Sequence, residues 1–169
     1  LYTTMFMNYS TIAAGTFALA PVLSILFFSK LKQNKKITKV ALAPAIFNIS
    51  EPITFGLPII LNPIYFIPFI IVQPLCFYIA VFFTKVGFIP VVCNNVPWTV
   101  PPIISGILFT GTIAGGLVQL INLVISMAIY YPFVKIADKM ELDKMTETEK
   151  LEAVETKRVS LLRGRKNET

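Results

Sequence analysis

Apolar residues fall into long uncharged runs separated by short polar or basic stretches. Residues 5–28 carry no charge across 24 positions, and about 20 apolar residues suffice for a helix to cross a bilayer. Asn8, Ser10, Thr11 and Thr16 make the first half of this run more polar, and Pro21 predicts a kink. A transmembrane helix is expected here, entered through an irregular portion before Thr11. Residues 29–39 (SKLKQNKKITK) read as a basic loop. Residues 64–84 are uncharged and aromatic-rich and predict a second crossing, with Lys85 marking its exit on the outer side. Residues 107–134 predict the last crossing, closed on the cytoplasmic side by Lys135. Its glycines Gly111, Gly115 and Gly116 suit close helix packing, and Tyr130 and Tyr131 fall where an aromatic belt is expected. Two crossings between the basic stretch and Lys135 return the chain to one face, so the topology is consistent.

Two segments break the pattern. Residues 40–63 (VALAPAIFNISEPITFGLPIILNP) are apolar but contain Pro44, Pro52, Pro58 and Pro63. Each proline removes a backbone donor and crowds the preceding turn. The residues before three of them, Glu51, Leu57 and Asn62, are pushed toward extended conformations. Backbone left unpaired in this way must be buried in protein or line a wet cavity. The expectation is a re-entrant hairpin or a discontinuous helix pair. Residues 86–106, with NNVPWTVPPIISG, form a second proline-broken polar patch.

Charge sharpens the division. Charged residues make up 14% of the chain, against roughly 25% in ordinary soluble domains, and the mean hydropathy is +0.72. Before Asp138 the only acid is Glu51, while five lysines (Lys30, Lys32, Lys35, Lys36, Lys39) crowd one short stretch. Bases placed as punctuation between apolar runs follow the positive-inside rule, not the folded basic face of a nucleic-acid binder. No nucleic-acid partner is expected. The basic stretch is either a plain solvated connector or a surface for a cytoplasmic partner or anionic lipid. Two domains follow: a membrane-embedded part over 1–137, and a polar, charge-balanced cytoplasmic tail over 138–169. In the tail, Leu142, Met145, Leu151 and Val154 suggest one weak amphipathic helix. The opening at Leu1 has no signal-peptide layout and suggests a piece whose upstream portion is missing. Cys76 and Cys93 lack metal-ligand spacing and read as buried free thiols. With no histidine and no acid pair outside the tail, no catalytic residue, metal site or cofactor is expected.

Glu51 is the sharpest candidate. A carboxylate at membrane depth costs at least about 2.5–3.5 kcal/mol and usually faces a cavity. Asn48, Ser50 and Thr54 beside it supply donors and acceptors suited to a neutral polyol. The structural alternative is a glutamate capping a half-helix N-terminus. Trp98, the only tryptophan, offers a ring face to a pyranose, with Asn94, Asn95 and Thr99 near its hydroxyls. Its alternative is an interfacial anchor. Gln119 and Asn122 suit interhelical hydrogen bonding. From the residues alone, a proton-coupled secondary sugar transporter with Glu51 as its titrating site is a second reading.

At FNISEPITFGLPIILNP (47–63) and NVPWTVPPIISG (95–106), extending through VQLINLVISMAIYYPFVKIAD (118–138), the chain resembles enzyme IIC of the phosphoenolpyruvate-dependent sugar phosphotransferase system, in its lactose/cellobiose/diacetylchitobiose family. The resemblance spans roughly residues 10–140. It implies an all-α protein of the bacterial plasma membrane, multi-pass with a cytoplasmic C-terminus. Its spanning helices with proline-broken re-entrant hairpins would form part of an elevator-type transport lobe, in a subunit that dimerises through a lobe upstream. It implies uptake of a β-linked disaccharide coupled to phosphorylation by cytoplasmic IIB and IIA components, which carry the phosphoryl group. Glu51 matches the motif glutamate, and Asn48 and Trp98 fall in the motifs lining that site. Ser50 stands where the family usually has asparagine, and the family's important histidine belongs upstream.

Overall fold

A computed structural model of the chain describes residues 9–10, 16–57, 62–92 and 94–165, with side chains through residue 148. Among them every regular element is helical: α1 (Leu19–Phe28), α2 (Lys32–Ile46), α3 (Glu51–Gly56), α4 (Pro63–Lys85), α5 (Ile104–Thr110) and α6 (Ile113–Arg165). Residues 5–8 and 11–15 of the first expected span, Pro58 and Cys93 lie outside the described residues. So do the side chains of Leu151 and Val154.

α4 follows the sequence pattern closely. Asn62 caps it by accepting from the Ile64 N–H at 3.0 Å, and Pro63 occupies its first turn, where no donor is needed. Its 23 residues give about 35 Å of helix, enough to cross a bilayer. Phe66, Ile67, Ile70, Ile71, Tyr78 and Phe82 all project outward from it. α6 is the other helix long and apolar enough to span.

Three local expectations are revised. Residues 29–39 are a loop only at Ser29–Leu31, since Lys32 opens the 15-residue α2. Lysine, glutamine, alanine and leucine favour helix, and the N-terminus of α2 has a partner remote in sequence. The Asp138 carboxylate accepts from the Ser29 hydroxyl at 2.8 Å and from the Lys30 N–H. The Ser29 oxygen in turn accepts from the Leu31 N–H at 3.2 Å. Pro21 sits in the first turn of α1 and not inside a longer helix, so it removes no intrahelical bond there. The run over 107–134 is not one helix. Its first turn belongs to α5, the chain reverses at Gly111 (φ 68), and α6 begins at Ile113.

That reversal makes α5 and the start of α6 a tight helical hairpin. A Cβ on Gly106 would lie 2.5 Å from the carbonyl oxygen of Gly115, and one on Gly116 2.8 Å from Ile107 Cγ1. Only glycine allows this approach. Gln119 of α6 locks the hairpin. Its Oε1 accepts from the N–H of Ile103 (2.6 Å) and of Gly106 (2.8 Å), and from the Ser105 hydroxyl (3.1 Å). These bonds cap the N-terminus of α5 and hold Ile103 at φ 74. The interhelical role expected of Gln119 is thus realised.

The helices gather round α6. Ala18, Val22 and Ile25 beside α1 and α2 residues Ala41 and Ala45 form one core with Ile53, Tyr65, Val134 and Ala137. A second core joins Ala20, Val72, Cys76, Leu123 and Tyr130. A polar ladder runs beside it. The Thr16 hydroxyl reaches Cys76 Sγ at 3.9 Å, Cys76 Sγ meets Ser126 Oγ at 3.3 Å, and Asn122 Nδ2 donates to the Cys76 carbonyl at 3.3 Å. Cys76 is a buried free thiol, as expected. α6 continues without a break past residue 138, and Asp138 itself is 4% exposed.

Candidate functional site

The first proline-broken segment is a helix, a short break and a second helix. α2 tolerates Pro44 in its last turn and ends at Ile46. The Pro44 carbonyl then accepts from both Phe47 N–H (2.9 Å) and Ile49 N–H (3.1 Å), and the Ala45 carbonyl from Asn48 N–H (3.1 Å). Asn48 makes this possible by adopting a left-handed conformation, φ 61, which asparagine tolerates better than most residues. Ser50 flanks the next helix, and Glu51 is its first residue. Asn62 is extended before its proline, as expected, whereas Leu57 at φ −114, ψ 87 is neither helical nor fully extended. Glu51 instead is helical, because Pro52 falls in the first turn of α3, where proline is accommodated.

The second broken segment is tied to the first through Asn48. Its Nδ2 donates to the Trp98 carbonyl at 2.8 Å and to the Val100 carbonyl at 3.2 Å, across about fifty residues of chain. Its Oδ1 is enclosed without a protein partner among the described residues. The residues predicted to act together are therefore physically joined, but Asn48 serves as the tie. Its side-chain donors already serve backbone carbonyls.

Glu51 is exposed and makes no hydrogen bond or ion pair among the described residues. Among the described residues, the capping role weighed against a binding role is not realised. Trp98 is 58% exposed, and Asn94 and Asn95 are exposed beside it. Asn94 Nδ2 donates to the Leu108 carbonyl at 2.9 Å, fastening the segment to α5. Ser50 is half-buried and gives α3 no side-chain cap. The Glu51 carboxylate and the Trp98 indole are thus both exposed, on two irregular segments that Asn48 joins. Carboxylate oxygens accept from vicinal hydroxyls, while an indole face covers the C–H surface of a sugar ring.

Two cavities among the described residues lie elsewhere. One of about 470 Å³ is bounded by Asn34, Leu57, Asn62, Tyr65 and Glu141 among others, and none of the six predicted site residues lines it. No group of acids and cysteines among the described residues is arranged to hold a metal. Sequence reading missed Asp138 as a buried structural carboxylate. The only local signal was an acid placed just after an apolar run.

Comparison with known proteins agrees with this layout. Residues 1–72 match the family model for the phosphotransferase system, EIIC. The chain is 43% identical over 145 residues to the oligo-beta-mannoside-specific EIIC component of Bacillus subtilis, covering 84% of this chain and 33% of that protein. It is 42% identical over 130 residues to the cellobiose-specific EIIC component of Lactococcus lactis, covering 76% and 26%. Among solved structures it is similar to the transporter ChbC, the IIC component from the N,N'-diacetylchitobiose-specific phosphotransferase system. The TM-score is 0.76 at 35% identity, over 84% of this chain and 34% of that one. The chain thus spans about a quarter to a third of the length of these relatives. A helix break that carries a lone glutamate, an asparagine tie to the tryptophan segment and these similarities converge on one family: the chain belongs to the EIIC membrane components of the sugar phosphotransferase system.

Proposed function

We propose that this chain forms part of the transport site of a permease that takes up a β-linked disaccharide of the cellobiose, lactose or diacetylchitobiose type. In this reading Glu51 accepts hydrogen bonds from sugar hydroxyls, Trp98 stacks on a ring face, and Ser50, Asn94 and Asn95 supply further polar contacts. Asn48 has a changed part: it holds the Trp98 segment against the helix break and so sets the distance between indole and carboxylate. The observation that carries the reading is that single bridge, because it joins the two motifs into one binding face. The phosphoryl group belongs to cytoplasmic IIB and IIA partners, and this chain contributes substrate position, not phosphoryl chemistry. The permease works in the bacterial plasma membrane as a multi-pass homodimer, with an elevator-type shift of its re-entrant hairpins. Residues 1–137 are embedded, and residues 138–169 extend on the cytoplasmic side.

The test is uptake and binding by a complete permease carrying this segment. Glu51→Gln keeps the shape and removes the charge; it is expected to lower sugar affinity by at least tenfold while membrane insertion is unchanged. Sugar must accumulate as its phosphate, in dependence on phosphoenolpyruvate. Unmodified sugar driven by a proton gradient would instead identify Glu51 as the titrating site of a secondary transporter.

A further inference from the structure

At the polar end of the bundle three lysines line one cavity. Lys30 follows the C-terminus of α1, and Lys135 and Lys139 lie one turn apart on α6. With Asp138, Leu142 and Asp143 they line a cavity of about 240 Å³. The carboxylate at its base is already engaged, since Asp138 accepts from Ser29 and from the Lys30 backbone. Ser29 and Asp138 are both buried. The ammonium groups have no such assignment: among the described residues, no ion pair is formed by Lys30, Lys135 or Lys139. Asp143 is exposed, so the lysines outnumber the one acid that is not already bonded.

What lies next to the cavity gives it a direction. One turn back on α6, the Tyr131 ring sits 5.5 Å from Lys135 Nζ, and Phe28 of α1 packs edge-on against it at 4.9 Å. Beyond these rings the surface is exposed and apolar: Phe27 is 65% exposed and Val124 60%. Aromatic side chains followed by lysines mark the boundary between acyl chains and headgroups. We infer that the Lys30–Lys135–Lys139 cavity binds the phosphodiester headgroup of an anionic phospholipid, whose acyl chains lie along the exposed apolar surface of α1 and α6. The cavity is of a size to accommodate a phosphate group. Further lysines on the exposed face of α2, at Lys32, Lys36 and Lys39, add positive potential close by. The inference is independent of what Glu51 binds.

Native mass spectrometry of the protein in detergent tests it, with phosphatidylglycerol, phosphatidylcholine and inorganic phosphate titrated separately. The wild type should bind one phosphatidylglycerol at least tenfold more tightly than phosphatidylcholine, with inorganic phosphate far weaker. Lys30→Gln/Lys135→Gln/Lys139→Gln should reduce phosphatidylglycerol binding by about a hundredfold, since each lysine near such a surface contributes about fivefold. The matched triple Lys32→Gln/Lys36→Gln/Lys39→Gln should cost less than fivefold. Equal losses in the two triples would reduce the effect to a diffuse field and overturn the site. So would indifference to the headgroup, or inorganic phosphate binding as strong as the lipid. Loss of an acidic soluble partner from the first triple with lipid binding intact would give the surface to a protein instead. Should the triple fail to fold, Lys139→Gln alone, at an exposed position, must still weaken the preference by about fivefold.

Discussion

Asn48 donates from Nδ2 to the backbone carbonyl of Trp98 at 2.8 Å, and does so from a left-handed backbone conformation. One side chain thus ends a helix and fixes a second segment at the same time. The two roles are separable by substitution. Asn48→Gly preserves φ 61 at little steric cost but deletes both bonds to the Trp98 segment. In a complete permease the expected result is at least a tenfold loss of sugar affinity with helical content unchanged. Asn48→Ala should be worse in stability by a further ~1 kcal/mol, the cost of left-handed backbone with a Cβ. Calorimetric titration and thermal melting separate the two terms. Wild-type affinity in the glycine variant would dismiss the tie as incidental.

The glycines of the α5–α6 hairpin predict a ranking. A Cβ on Gly106 would strike the Gly115 backbone, so Gly106→Ala is expected to cost about 1–3 kcal/mol by overpacking, or to spring the hairpin open. Gly87 also has a positive φ, 82, but open space around it. Gly87→Ala should therefore cost only the backbone term, about 1 kcal/mol. Melting temperatures of the two variants in one detergent check the order.

Gln119 is expected to be hard to replace. Gln119→Leu fits the volume but abandons the N–H groups of Ile103 and Gly106 and the Ser105 hydroxyl in a dry contact. Each buried donor left unpaired costs about 1–3 kcal/mol. Faster amide exchange confined to the α5 N-terminus, with α4 unaffected, is the expected signature. A uniform change across the bundle would argue for a general packing defect.

For Asp138 the series wild type, Asn, Ala should fall monotonically in stability. Asparagine keeps one acceptor for the pair formed by Ser29 and the Lys30 N–H, while alanine keeps none. The loss at alanine is about 2–3 kcal/mol, as for hydrogen bonds to a charged group. Amide exchange at Lys30 reports it directly.

The sequence made some of this architecture visible and hid the rest for identifiable reasons. α4 was legible because its signal is local: an uncharged, aromatic-rich run long enough to cross a bilayer. The irregularity around Glu51 was legible for the same reason, since Pro52 and its neighbours act on adjacent backbone. The helix through Lys32, Lys36 and Lys39 was read as a loop because its lysines look like solvated punctuation, and the contact that holds Ser29 and Lys30 just before it comes from Asp138, more than a hundred residues away. The reversal at Gly111 was concealed inside an apolar run whose hydropathy does not change across the turn; only the close approach of Gly106 and Gly115 gives it away. Of the site residues, the pairing of the Glu51 and Trp98 motifs was foreseen. That Asn48 would spend its amide on holding them together was not, because side-chain direction at a helix break depends on a φ value that composition does not set.

The row of Thr16, Cys76, Asn122 and Ser126 has a mechanical meaning. In hydrocarbon no water stands ready to take over a hydrogen bond that is pulled apart. Sliding one helix by a turn past its neighbour would strand several of these groups at once. The segment leading into α1 is thereby held at one level with α4 and α6, and shifting any of them along its axis would leave these groups without partners.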